Sequence, residues 1–243
     1  MVVTTVFFDF DGTLAWSRAS APGGAAVIWR DGLRSLGLGD PGPALEAALG
    51  ETDRELGGRL YGYLGRTEEF WALHDGRVLD RLGLGDRSAE LLPGLEVAFE
   101  AAARPTLFPD SRPALEELAR LGYRLGIISN NVDTLARRLD GLGIAPFFGT
   151  VTVSQEARAE KPAPGPFRLA LERAGCRPDE AVHVGDSVLA DVEGARRSGL
   201  VPVWLRRGPG PSLTGCPTIR SLAELALAIA PWGIADAPRA AQS

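Results

Sequence analysis

Apolar and polar positions alternate with different periods in three stretches of the 243-residue chain. Residues 2–8 are all β-branched or aromatic, which predicts a buried strand that stops abruptly at Asp9-Phe10-Asp11-Gly12-Thr13-Leu14. From Trp16 to Pro105, apolar residues recur at helical spacing in four pieces, 25–36, 43–64, 67–82 and 88–103. Gly37-Leu38-Gly39-Asp40 and Gly83-Leu84-Gly85-Asp86 break the run. From Phe108 a different rhythm begins. A helix through Leu121, capped by Asp110 or Ser111, leads to a strand at 124–128 and a helix at 132–142. A strand near 150–154, a helix at 166–174, strands at 181–184 and 201–205 and a last helix at 222–229 complete the pattern. Strands alternating with helices of this length predict an α/β fold, a parallel sheet covered on both faces. The core is expected at 1–16 and 106–243, interrupted by a mostly α-helical insertion at 17–105, about 90 residues long. The tail at 235–243 is expected to be disordered.

In an open α/β sheet, ligands sit outside the carboxyl ends of the strands. The pattern delivers Asp9 and Asp11, Ser129 with Asn130, Lys161, and Asp186 with Asp191 to that edge. Three carboxylates in oxygen-rich surroundings suit a hard cation such as Mg2+, which takes one or two carboxylates, water and substrate phosphate. No His or Cys set has the spacing of a zinc site. A hydroxyl, a lysine and the backbone N–H groups of Gly-containing turns suit phosphate oxygens. An Asp can attack phosphorus where a metal offsets the repulsion between the two anions.

Composition sharpens this picture at one position. Of 26 basic residues only Lys161 is lysine, and the only asparagines are Asn130 and Asn131. A chain that otherwise uses Arg keeps one lysine where a compact ammonium is wanted instead of a planar fork. The net charge of -5 and the scattered Arg residues argue against a nucleic-acid surface. Cys176 and Cys216 lack metal-type spacing and are expected to be reduced thiols of a cytoplasmic protein. The apolar start runs into Asp9 and reads as a strand, not a signal peptide. The late apolar stretch 221–235 contains Glu224 and Pro231 and is too short to span a membrane. His74 is expected on a helix surface and His183 packed in the core.

The segments D-F-D-G-T-L, I-I-S-N-N, Glu160-Lys161-Pro162 and G-D-S-V-L-A-D, in that order, resemble the four motifs of the haloacid dehalogenase (HAD) superfamily. The helical insertion between the first and second resembles the subclass with a cap over the active site. The resemblance implies a Rossmann-like core and a Mg2+-dependent phosphatase that hydrolyses a small organic phosphate monoester through an aspartyl-phosphate. It makes Asp9 the nucleophile and a metal ligand. Asp11 becomes the general acid and base, its backbone carbonyl a metal ligand and Thr13 its orienting neighbour. Gly12, Thr13, Ser129, Asn130 and Lys161 would hold or orient the phosphoryl group. Asp186 would bind Mg2+, with Asp191 a direct or outer ligand. A second carboxylate beside an ionised one can hold a proton, which fits the division between Asp9 and Asp11.

Other functions have their own marks. A phosphomutase of the same superfamily, acting on a sugar phosphate, would share this machinery. A 2-haloacid dehalogenase lacks the second Asp, and a phosphonatase would bring a lysine from the insertion, where none occurs. A receiver-type signalling domain would be about half as long, and a non-catalytic binding protein would show a broken motif. Trp16, Arg18, Trp29, Arg30 and Trp71 are the candidate substrate contacts in the insertion, although a Trp is more often core packing. The expected partner is a small phosphorylated metabolite, with no nucleic acid and no membrane.

Overall fold

Strand β1 (Thr5–Phe8), buried at every residue, is the axis of a six-stranded parallel sheet in this computed structural model, which describes residues 2–19, 21 and 23–233. The expected disorder at 235–243 lies outside the described residues. The other strands of the sheet are β4 (Arg124–Ser129), β5 (Phe148–Val153), β6 (Ala181–Gly185), β7 (Val201–Leu205) and β8 (Thr218–Ile219). Their order is β5-β4-β1-β6-β7-β8. Phe8 is in register with Ile127 of β4 and with Val184 of β6. The chain therefore fills one side of β1, returns, and fills the other, so the strand order reverses between β1 and β6. This reversal opens a crevice at the carboxyl ends of those strands, the position where doubly wound sheets bind ligands. The edge strand β8 was not expected, because two residues are too few to show a period. The expected strand at 2–8 begins later, at Thr5. Val3 and Thr4 instead donate to the carbonyls of Trp232 and Glu180.

The chain forms two compact units, one running through Ala15 and again from Thr106 onward, the other Trp16–Pro105. A separate two-stranded sheet consists of β2 (Ala15–Trp16) and β3 (Thr106–Leu107). The second unit contains α1 (Gly24–Ser35), α2 (Pro43–Leu56), α3 (Thr67–Arg81) and α4 (Ser88–Ala103). Helix α2 stops eight residues short of the expected 64, since Gly57 and Gly58 follow it and the chain tightens into a 3-10 turn. Trp29, Leu33, Leu45, Val78, Leu79 and Leu95 build a separate core there. His74 departs from the expected surface position. It is buried, its Nδ1 lying 2.9 Å from Asp75 Oδ1 and its Nε2 3.1 Å from Asp53 Oδ1. Burial works to lower its pKa, but the hydrogen bonds and charges of the two carboxylates outweigh that and raise it.

The first unit adds α5 (Ser111–Arg120), α6 (Leu135–Gly141), α7 (Ser154–Ala157), α8 (Pro164–Ala174), α9 (Gly194–Arg197) and α10 (Leu225–Ile229). Alternation along the strands sorts them into two layers. Val6 and Phe8 face one core with Leu115 of α5, Leu139 of α6 and Leu225 of α10. Phe7 faces the other with Phe167 of α8 and Ala195 of α9. A sheet apolar on both faces needs helices on both, which gives the Rossmann-like α/β arrangement.

Neither expected cap of α5 caps it. The Asp110 carboxylate instead accepts from Arg207 Nη1 and Nη2 at 2.9 and 3.0 Å, from Ser221 Oγ at 2.7 Å and from Leu222 N at 2.9 Å. Ser111 Oγ donates to Leu14 O at 2.7 Å. Long-range partners have displaced local ones. Helix α6 likewise starts at Leu135, not at 132, because the N–H groups of Val132 and Asp133 are engaged by the side chains of Asn131 and Gln155.

Candidate active site

The ladder between β1 and β6 continues one residue past β1, with Asp9 N donating to Val184 O at 2.9 Å. The loop then turns tightly: Phe10 O accepts from the N–H groups of Thr13, Leu14 and Ala15, and the buried Phe10 and Leu14 side chains anchor it. Gly12 has a φ of 82°, and a Cβ there would lie 2.5 Å from Asp186 Oδ2. Only glycine allows both that backbone and the approach of the Asp186 carboxylate.

Lys161 lies between Asp9 and Asp191 and is only 4% exposed. Its Nζ donates to Asp9 Oδ1 at 2.7 Å, Asp191 Oδ1 at 2.6 Å and Ile128 O at 2.8 Å. These three acceptors match the three protons of an ammonium around one nitrogen, a geometry that a flat guanidinium cannot reproduce. The side chain is long and its backbone sits in a connection, so that connection must be fixed. Asn130 does this: its Oδ1 accepts from Lys161 N at 2.7 Å and its Nδ2 donates to Lys161 O at 3.1 Å. The amide expected to orient phosphate is thus engaged by the lysine's own peptide groups.

Asp191 sits in a single π-helical turn, Val188–Glu193, and is buried. Its Oδ1 also contacts His183 Nε2 at 3.0 Å, and its Oδ2 accepts from Ser187 N at 2.9 Å. A Cβ at Gly185 would lie 2.1 Å from Asp191 Cγ, so the end of β6 must be bare for this carboxylate to fold back over it. His183 is buried, as expected, with its ring edge-on to Phe167 at 5.3 Å. Burial lowers its pKa, and the neutral tautomer that satisfies Asp191 carries its proton on Nε2. Asp186 is exposed, and its carbonyl accepts from Trp204 Nε1 at 2.9 Å.

Carboxylate oxygens of Asp9, Asp186 and Asp191 all lie within 4.8 Å of one another. Burial pushes the Asp9 carboxyl up to about 7; Lys161 opposes this and Asp191 adds to it. Asp186 is raised by loss of solvent and then by Asp191. Burial would raise Asp191 too, but the Lys161 charge and the His183 hydrogen bond hold it below the usual range. Lys161 loses solvation yet is raised by Asp9 and Asp191. Three carboxylates around one ammonium leave an excess of negative charge in an all-oxygen cluster that could hold a metal ion.

Asp11 is reached from β4. Asn131 Nδ2 donates to Asp11 Oδ2 at 3.0 Å. Thr13, the expected orienting residue, does not do this: its Oγ1 is buried without a hydrogen-bond partner, its N–H donates to Phe10 O and its carbonyl accepts from Arg207 Nη2 at 2.8 Å. Ser129 is the last residue of β4 and is buried. In the helical unit, Trp29 is 3% exposed and packs on Phe99 at 5.2 Å, which removes it as a substrate contact. Arg30 is paired with Asp40 and Glu46, and Arg18 with Asp31. Trp16 and Trp71 are 48% and 42% exposed. Asn131, His183 and Trp204 were not among the expected site residues. The scarcity of asparagine was a signal for the first, and nothing in the sequence marked the other two.

The family described as haloacid dehalogenase-like hydrolase matches residues 3–199. The chain is 33% identical over 215 residues to glyceraldehyde 3-phosphate phosphatase of Methanopyrus kandleri, covering 85% of each. Among solved structures it is similar to a HAD phosphatase from Thermococcus onnurineus, with a TM-score of 0.65 and 28% identity over 94% of this chain and 98% of that one. It is also similar to a 2-haloacid dehalogenase from Pseudomonas syringae pv. Tomato, with a TM-score of 0.70 and 29% identity over 96% and 100%. The chain belongs to the haloacid dehalogenase-like hydrolases. No helix among the described residues is long and apolar enough to cross a membrane.

Proposed function

We propose that this protein is a Mg2+-dependent phosphomonoesterase acting on a small phosphorylated metabolite, with Asp9 as nucleophile. The observation that carries this reading is the pairing of two differently held carboxylates on one loop. Asp9 is bound to the Lys161 ammonium, and Asp11 accepts from a neutral amide. The dehalogenase pattern lacks the second carboxylate, so Asp11 favours phosphoryl transfer over attack on a carbon-halogen bond. Relatives named as phosphatases support the same choice.

In the first half-reaction an Asp9 carboxylate oxygen bonds to phosphorus while the bond from phosphorus to the ester oxygen breaks, and Asp11 gives its proton to the departing alcohol. In the second, Asp11 takes a proton from water, the water oxygen bonds to phosphorus, and the bond to Asp9 breaks, restoring both carboxyl groups and releasing phosphate. Ser129 holds the phosphoryl oxygens, while Lys161, with its three protons engaged, keeps Asp9 in line and supplies positive charge beside it. Loose phosphoryl transfer requires positioning and charge stabilisation above all.

The donor set fits Mg2+: it is all oxygen, and Gly12 leaves the space that brings Asp186 against the loop of Asp9. Asp9, Asp186 and the Asp11 carbonyl are the residues assigned to it. Asp191 is assigned to Lys161, since both its oxygens already accept hydrogen bonds. When bound, the cation would neutralise charge between carboxylate and phosphate. The unit Trp16–Pro105 is assigned the choice of substrate, with Trp16 and Trp71 the exposed aromatic candidates.

A screen of small phosphate monoesters with Mg2+, then with chelator, tests the reading. Hydrolysis that stops in chelator and returns with Mg2+ is expected. Turnover only with a sugar phosphate and its bisphosphate, without release of phosphate, would replace phosphatase by mutase.

A further inference from the structure

Asn131 is held on every side. Its Oδ1 accepts from Val132 N at 3.0 Å, so its amide orientation is not a free choice: the NH2 end must face Asp11. Its carbonyl accepts from Ser154 Oγ at 3.1 Å and from Gln155 N at 3.3 Å, which ties it to the start of α7. A side chain locked on a strand end and a helix start forms a rigid support for whatever it contacts. What it contacts is a carboxylate 120 positions earlier in the chain.

A donor aimed at one oxygen of a carboxyl group has a directional effect. Oδ2 accepts from the Asn131 amide, which is itself held in place by Val132, Ser154 and Gln155. The bond restricts rotation of the Asp11 carboxyl group. General acid catalysis is sensitive to that orientation, because the donating oxygen must lie within hydrogen-bond reach of the leaving oxygen.

We propose that Asn131 is a positioning residue for the general acid: it fixes the orientation of the Asp11 carboxyl group. The inference rests on the phosphomonoesterase reading above. Its signature is dependence on the leaving group. An alkoxide leaves only if protonated, whereas p-nitrophenolate is stable without a proton.

The test compares an alkyl phosphate with p-nitrophenyl phosphate on one preparation each of wild type and Asn131→Ala, so that any unfolded fraction cancels in the ratio. Asn131→Asp, which keeps an oxygen for the Val132 N–H while replacing the donor facing Asp11, is the second variant. We expect kcat on the alkyl ester to fall about 30-fold and on p-nitrophenyl phosphate about 3-fold, a tenfold change in the ratio. Equal losses on the two esters in either variant would overturn the role of Asn131 while leaving the phosphatase reading intact. A wild-type protein that hydrolyses neither ester would remove that reading, and this inference with it.

Discussion

The side-chain amide of Asn130 pairs with both peptide groups of Lys161, accepting from N at 2.7 Å and donating to O at 3.1 Å. The chain's single lysine is thereby tied to the end of β4, although it lies in a connection between α7 and α8 with no regular structure of its own. Asn130→Ala removes both bonds and leaves a part-buried peptide group to find water. It should cost about 1–3 kcal/mol of stability and, by loosening Lys161, lower kcat about tenfold. Denaturant unfolding together with steady-state kinetics checks both effects.

Lys161→Arg keeps the charge but not the shape. Three acceptors converge on a single Nζ, one of them the carbonyl of Ile128 at 2.8 Å. A guanidinium spreads its donors in a plane and needs more room in a site that is 4% exposed. The substitution should lower kcat by about 100-fold or more, the scale of losing an electrostatic group aimed at developing charge. Circular dichroism should show the fold retained, and near-normal kcat would reduce the lone lysine to coincidence.

Asp110 gives a pH dependence of stability. Burial would raise its carboxyl, but the bidentate Arg207 bond and the bonds from Ser221 and Leu222 hold it below the ordinary value of 3.8. A group depressed in the folded state stabilises the fold fully above its unfolded pKa and loses that contribution as pH falls through the folded one. Wild type should therefore exceed Asp110→Asn in stability by about 1–3 kcal/mol at neutral pH. The gap should narrow as pH falls below 3.8. Thermal melts of both proteins between neutral pH and the acid limit measure it.

The parts legible in the sequence were those set by local patterns. Val201–Leu205 and α4 fall where apolar spacing placed them, and the three motifs that follow β1, β4 and β6 reach one edge because a parallel sheet leaves them no alternative. The parts that were not legible depend on distant partners. Asp110 reads as a helix cap until Arg207, 97 positions away, is brought to it. His74 reads as a surface residue until α2 brings Asp53 against it. Thr13 stands beside Asp11 in sequence, yet Asn131 makes the contact. Proximity along the chain was the wrong guide there, because the tight turn at Gly12 points neighbouring side chains in different directions.

The central claim is that phosphate passes through the Asp9 carboxylate. Rapid quenching in acid during turnover of a phosphate monoester with Mg2+, followed by digestion and mass spectrometry, tests it most directly. The account predicts a phosphoryl adduct on the peptide carrying Asp9, formed as fast as the enzyme turns over, and absent from an inactive but folded Asp9→Asn. Steady hydrolysis with no adduct on that peptide, or substantial turnover by Asp9→Asn, would contradict it.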